Sequence, residues 1–342
     1  MRCGQRSFFF GGILMEWWQM ALYLLFLAIG MVLLVKGADW FVDGASNIAK
    51  ALKIPSLIIG LTLVSMGTSA PEAAVSITSA IHQNVEMSVG NVVGSNIFNT
   101  LFILGISALI VPLVINKDMK KYDIPIMLGL YAVMMLFCFV ITPNTLDTLE
   151  AVVLLLLFAG YMTFLFLRTK GTANEEADEG VTKKMPVWKA ILLTVLGLAA
   201  IVTGGTFSVD CAEVLALEWG MSESLVGLTI LAVGTSLPEL VTSVVASIKK
   251  ENDIAIGNVI GSNIFNIMFI LGLSAVITPH TLAPGALFTM TVMLLSGVAM
   301  LLIAWLGKNM KKWQGACMFA AYVVFIVLLI LQDYQVITLF TA

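Results

Sequence analysis

The sequence predicts an all-α polytopic membrane protein of ten transmembrane helices, arranged as two inverted five-helix repeats. Three observations carry that expectation. The 342 residues are 59% hydrophobic and only 11% charged, against about 25% charged in a soluble domain, and the mean hydropathy is +1.00. Apolar stretches of membrane-spanning length, about 20 residues each, recur along the whole chain. One pattern also occurs twice at a constant offset of 167 residues. Gly67-Thr68-Ser69-Ala70-Pro71-Glu72 returns as Gly234-Thr235-Ser236-Leu237-Pro238-Glu239, and Gly94-Ser95-Asn96-Ile97-Phe98-Asn99 returns as Gly261-Ser262-Asn263-Ile264-Phe265-Asn266. A β-barrel is excluded, because the apolar residues run continuously instead of alternating.

The spans fall at 18–48, 56–82, 87–114, 122–142, 148–167, 187–217, 224–248, 254–278, 284–306 and 313–332. Helices are required because lipid offers the backbone no hydrogen bonds. Several spans exceed the minimum length, which predicts tilt or breaks. Trp17, Trp18, Trp188, Trp219 and Trp313 fall near span ends, where aromatic belts form. Lys36 lies inside the first span, so either that helix breaks there or the side chain faces protein. The first residues, with Arg2 and Arg6, lack a signal cleavage site, and Met15 is a candidate start.

Basic residues order the spans. Lys50 and Lys53 follow the first, and Lys117, Lys120 and Lys121 follow the third. Arg168, Lys170, Lys183, Lys184 and Lys189 surround the connection after the fifth. Lys249 and Lys250 follow the seventh, and Lys308, Lys311 and Lys312 the ninth. The connections after the even-numbered spans carry no Lys or Arg. By the positive-inside rule the odd connections are cytoplasmic and both termini extracytoplasmic. Five spans per copy is an odd number, so the second copy enters from the opposite face, a frequent build among secondary transporters. The expected organisation is an extracytoplasmic segment 1–17, a first repeat 18–168, a cytosolic linker 169–186 too small to fold alone, and a second repeat 187–342.

Glu72 and Glu239 are the carboxylates set deep in apolar runs, whereas Asp39, Asp43, Asp210 and Glu213 lie toward the ends of the first and sixth spans. An ionisable residue within a membrane is costly and marks function. Each follows a proline, which removes a backbone donor and frees the carbonyl one turn earlier, here Gly67 or Gly234. Ser95 and Asn99 are four apart, as are Ser262 and Asn266, so each pair shares a helix face. Thr68, Ser69, Ser95, Thr235, Ser236 and Ser262 add hydroxyls. All these donors are hard oxygens, suited to Na⁺ or Ca²⁺. Pooled from both copies they suffice for calcium, and two carboxylates would neutralise one Ca²⁺. Packing explains the glycine pairs 90/94 and 257/261 as small-xxx-small contacts. Interhelical glue is the competing role for Asn99 and Asn266. Cys3, Cys138, Cys211 and Cys317 are isolated, and His82 and His280 sit near span ends, so none forms a metal cluster.

The paired motifs resemble the α-repeats of the Ca²⁺:cation antiporter superfamily, in particular its prokaryotic Na⁺/Ca²⁺ exchangers, over nearly the whole membrane portion. That resemblance implies a ten-helix fold with a central site on spans 2, 3, 7 and 8. It implies that Glu72 and Glu239 are shared Ca²⁺ and Na⁺ ligands. Thr68 and Thr235 would offer backbone carbonyls, with further carbonyls from Ser65 and Ala232. Ser69, Ser95, Ser236 and Ser262 would line Na⁺ sites, and Asn99 and Asn266 would occupy the polar centre. Some relatives, notably K⁺-dependent exchangers, carry Asp at one of those two positions; Asn at both argues against K⁺ co-transport here. The long first and sixth spans fit the role of a sliding gate.

The expected function is secondary antiport of Na⁺ against Ca²⁺, exporting calcium from a prokaryotic cell across the inner (plasma) membrane, with a three-to-one exchange implied by the resemblance. The chain is not expected to be an enzyme. Intramembrane proteolysis would use aspartates in a Gly-x-Gly-Asp context, and the deep acids are glutamates after proline. H⁺/Ca²⁺ exchange by the same fold is the nearest alternative, and a cation channel is a further one. The expected partners are the two ions and the bilayer; no cofactor, nucleic acid or obligate protein partner is expected.

Overall fold

The structure, a computed structural model, describes residues 17–172, 185–219, 232–283, 285–307 and 309–333. The expectations for residues 1–16, most of the linker, Lys308 and the first part of the 224–248 span lie outside the described residues. The apolar runs form helices α1 (Trp17–Leu52), α2 (Ser56–Thr68), α3 (Ala70–Ile81), α4 (Val85–Ile110), α5 (Met119–Ile141) and α6 (Thr148–Thr172). They are followed by α7 (Val187–Glu218), a single turn Ala232–Gly234, α8 (Leu237–Ile248), α9 (Asn252–Ile277), α10 (Ala286–Leu306) and α11 (Lys312–Asp333). The molecule is an all-helical polytopic membrane protein. Among the described residues eight helices are long and apolar enough to cross a membrane, or nine if α2 and α3, bent by 50° at their junction, form one broken span. α8 is shorter, and part of the stretch before it is among the residues not described.

α1 runs unbroken for 36 residues, about 54 Å at 1.5 Å per residue, so it either tilts in an apolar layer of about 30 Å or extends beyond it. Lys36 is exposed on this continuous helix. Neither a break nor burial accommodates it; its long stem leaves the ammonium outside the protein, free to snorkel.

α1 and α7 cross in opposite directions on a row of small residues. A Cβ added to Gly37 would fall 2.9 Å from the Gly197 carbonyl oxygen, and one on Gly204 2.7 Å from that of Gly30. Likewise a Cβ on Gly44 would lie 2.7 Å from the Ala190 carbonyl oxygen. A small hydrophobic cluster, including Phe41, Val42, Ile59, Val64, Ile201, Ala246 and Ile254, joins α1 and α7 to α2, α8 and α9. The main core is built on α2, α4, α5, α6, α9, α10 and α11. Within it α4 and α9 are the most enclosed helices. Gly105 of α4 abuts Gly315 of α11, and Gly272 of α9 abuts Ala151 of α6.

Four two-residue strands close the ends. β1 (Leu113–Val114) pairs antiparallel with β4 (Asn309–Met310), and β2 (Thr145–Leu146) with β3 (His280–Thr281). β1 precedes α5 and β2 follows it, whereas β3 precedes α10 and β4 follows it. The two sheets therefore sit at opposite ends, and α5 and α10 run in opposite directions between them. Lys249, just after α8, binds Asp39 at 2.7 Å and Asp43 at 2.6 Å on α1. The buried Asp123 of α5 is matched by Arg168 of α6 at 2.9 Å.

Candidate functional site

The site begins with two helix breaks. α2 ends at Thr68 and α3 starts at Ala70; between them Ser69 has φ −80° and ψ 9°. Ser236, before α8, adopts φ −90° and ψ 6°. Pro71 and Pro238 occupy the first turns of α3 and α8, where the missing N–H removes no helical bond. Glu72 and Glu239 follow in those same first turns, so the positive ends of two helix dipoles face the acids. Each carboxylate is fully buried.

The acids are bound crosswise. Ser69 Oγ donates to Glu239 Oε1 at 2.8 Å, and Ser236 Oγ donates to Glu72 Oε1, also at 2.8 Å. Ser95 Oγ lies 3.2 Å from Ser236 Oγ, and Ser262 Oγ lies 3.5 Å from Glu239 Oε1. The second oxygen of each carboxylate, Glu72 Oε2 and Glu239 Oε2, has no hydrogen-bond partner among the described residues.

α4 and α9 pass the acids and widen there into π-helical stretches, Phe98–Ile103 and Asn266–Leu271. Such local widening is frequent at functional positions. Asn99 and Asn266 sit in these stretches, fully buried, and their Oδ1 atoms are also unpartnered among the described residues. Two carboxylate and two amide oxygens thus lie buried with no donor among those residues. Leaving a buried acceptor unpaired costs about 1–3 kcal/mol, more for a charged group, so a cation is the partner this oxygen set suits.

The threonines are used differently from the simple hydroxyl inventory. Thr68 Oγ1 donates to Asn258 Oδ1 at 3.0 Å, and Thr235 Oγ1 to Asn91 Oδ1 at 3.4 Å. Their side chains therefore brace the site, and their backbones are what remains for an ion. The Ser65 carbonyl accepts the Ser69 N–H at 2.9 Å and lies 3.4 Å from Ser262 Oγ, so it is already engaged within the protein. Ala232 opens the turn before Gly234.

Four asparagines of the repeated motif were not singled out by sequence reasoning: Asn91, Asn96, Asn258 and Asn263. Asn91 Nδ2 reaches the Glu72 carbonyl at 3.2 Å and Ser76 Oγ at 2.9 Å. Asn258 Nδ2 makes the matching pair, to the Glu239 carbonyl at 3.4 Å and Ser243 Oγ at 2.9 Å. They pin the acid-bearing helices to α4 and α9. Their recurrence at the same offset was the available signal. Gly257 and Gly261 pack against α2, with an added Cβ 3.1 Å from the Leu57 carbonyl oxygen and 2.7 Å from that of Leu61. Gly90 and Gly94 meet no neighbour within 4 Å among the described residues.

Two acids enclosed among small oxygen-bearing side chains in an all-helical polytopic membrane protein suit cation transport, and the likeness to known proteins makes the class that of the antiporters. The chain belongs to the sodium/calcium exchanger protein family, whose pattern it matches over residues 22–167 and 189–331. It is 37% identical to the putative antiporter CaxA of Alkalimonas amylolytica, over 87% of this chain and 96% of that protein. It is also 37% identical to the sodium/calcium exchanger MaX1 of Methanosarcina acetivorans, over 89% of this chain and 97% of that one. Its fold is similar to that of the sodium-calcium exchanger NCX_Mj soaked with 10 mM Na⁺ and 10 mM Sr²⁺. The TM-score is 0.79 at 30% identity, covering 90% of this chain and 98% of that one.

Proposed function

We propose that this antiporter exchanges Na⁺ for Ca²⁺ by alternating access and that its direction is calcium export. The observation that carries the reading is the buried set of four oxygens, on Glu72, Glu239, Asn99 and Asn266, that have no donor among the described residues. One Ca²⁺ between two carboxylates makes the site neutral. Na⁺ ions competing for the same acids do so in another way, and the empty site keeps its uncompensated charge. Occupancy thereby biases which conformations are accessible, because a ligand shifts states only by binding them differently. Ser69, Ser236, Ser95 and Ser262 would complete the coordination, with the backbones of Thr68, Thr235 and, where their segments allow, Ser65 and Ala232.

Ten helices in two inverted repeats is the arrangement we propose around it. The opposed directions of α5 and α10, the antiparallel crossing of α1 and α7 and the crosswise serine bonds support it. The lysines near β1 and β4, against none beside β2 and β3, favour a cytoplasmic β1·β4 end and extracytoplasmic termini. An inner-membrane location is favoured by 37% identity to inner membrane protein YrbG of Escherichia coli over 82% of this chain. Ion translocation needs no cofactor and no covalent step. The test is ⁴⁵Ca uptake into proteoliposomes with Na⁺, K⁺ and H⁺ gradients imposed one at a time. Uptake should follow the Na⁺ gradient, and Glu72→Gln or Glu239→Gln should abolish it. Uptake driven by a pH gradient alone would replace Na⁺ coupling with H⁺ coupling, and normal uptake by both variants would remove the site.

A further inference from the structure

We propose that Asn96 and Asn263 are positioning residues that hold the Asn266 and Asn99 amides oxygen-first toward the transported cation. The proposal rests on the reading of Asn99 and Asn266 as ion ligands. A side-chain amide is two-faced: its oxygen accepts, and its nitrogen carries two donors. Turned the wrong way, it would present N–H groups to a cation and repel it. Something must therefore fix the turn, and each candidate ligand is itself free to rotate by half a circle at its terminal torsion.

The structure supplies the fixing groups. Asn96 Nδ2 lies 3.3 Å from the Asn263 backbone carbonyl oxygen and 3.9 Å from Met293 Sδ. Both partners can only accept, so the Asn96 amide has one workable orientation, with Oδ1 on its other side. That oxygen also can only accept, and what approaches it, at 3.1 Å, is the Asn266 amide. Asn266 must meet it with Nδ2, which leaves Asn266 Oδ1 free of any donor. The reciprocal relay runs through Asn263. Its Nδ2 faces Met127 Sδ at 3.5 Å and Thr100 Oγ1 at 2.9 Å, and its Oδ1 accepts Asn99 Nδ2 at 3.1 Å. Asn99 Oδ1 is left free in the same way. All four amides are fully buried, so their orientation is set inside the protein. Each relay begins in one half of the chain and orients a ligand in the other.

Simple interhelical glue would use the same bonds, so the test must separate orientation from stability. A carboxylate presents oxygen whichever way it turns, and Asn266→Asp therefore needs no orienting partner. Purified variants are reconstituted, and the Ca²⁺ KM of Na⁺-dependent uptake is measured. Asn96→Leu should raise the KM by about 10-fold or more, the usual cost of losing a group that orients a metal ligand. Added to Asn266→Asp, the same change should alter the KM by less than about twofold, a large coupling in the double-mutant cycle. An equal loss in both backgrounds, or no loss in either, overturns the proposal. Asn263→Ala with and without Asn99→Asp repeats the cycle on the second relay, so a misfolded Asn96→Leu does not decide the matter. If Asn266→Leu and Asn99→Leu leave the KM unchanged, the ligand assignment itself falls, a result distinct from failure of the relay alone.

Discussion

A carboxylate enclosed by protein at membrane depth survives only if charge, dipole and hydrogen bonds compensate it. Glu72 has a helix N-terminus and one serine donor, Glu239 a helix N-terminus and two, Ser69 and the more distant Ser262, and among the described residues each acid keeps one oxygen unpaired. His280 is a buried titratable group of another kind, outside the spans. Its Nε2 lies 2.9 Å from Ser274 Oγ, and Ser274 Oγ in turn lies 3.1 Å from Ser88 Oγ. Burial pushes the imidazole down to about 4, despite the opposing hydrogen bond to the Thr278 backbone. The unfolded chain, near 6.5, takes up a proton first as pH falls. Stability linked to His280 is therefore complete above about pH 6.5 and lost as pH falls toward about 4. Thermal melts of the detergent-purified protein should show a steeper acid loss for the natural chain than for His280→Gln; parallel curves would contradict this. The two glutamates were legible from sequence because charge is conspicuous in an apolar run. The partners of Asn96 and Asn263 were not, because spacing along one helix does not say which side chains of the other half face it.

At the scale of elements, α1 and α7 form a tightly meshed pair. Gly30, Gly37 and Gly44 recur every seven residues, as do Ala190, Gly197 and Gly204. That spacing brings them to one stripe of each helix, and close backbone approach follows because lipid gives helices no hydrophobic reason to associate. A Cβ at Gly197 would lie 2.6 Å from the Phe41 backbone nitrogen and 2.7 Å from the Gly37 carbonyl oxygen. Those are backbone atoms, which cannot rotate away. Gly197→Leu should destabilise the protein by about 1–3 kcal/mol or more, as overpacking does. It should depress uptake more than Gly160→Leu, since a Cβ at Gly160 would meet nothing within 4 Å among the described residues; equal activity of the two variants would show that the meshing is unimportant. The stripe is readable in the sequence once it is sought. The 36-residue length of α1 hid it, because all-round apolarity masks which face packs against protein.

At the scale of the whole molecule, the apolar runs specified nearly every described helix, from Trp17 at the start of α1 to the end of α11. The proline before each deep glutamate signalled the breaks at Ser69 and Ser236. The π-helical turns at Asn99 and Asn266 left no such signature, since widening by one residue depends on packing across α4 and α9. The crosswise bonds, Ser69 to Glu239 and Ser236 to Glu72, have a consequence for genetics. Each half of the chain carries one acid and the serine that serves the other acid. Cut between residues 173 and 184 and expressed as two polypeptides, the halves should complement: together they should restore Na⁺-dependent ⁴⁵Ca uptake, and neither should do so alone. Activity from a single half would mean that one copy can assemble a working site by itself. Complementation would make a lesion in one polypeptide visible as a defect in the acid of its companion.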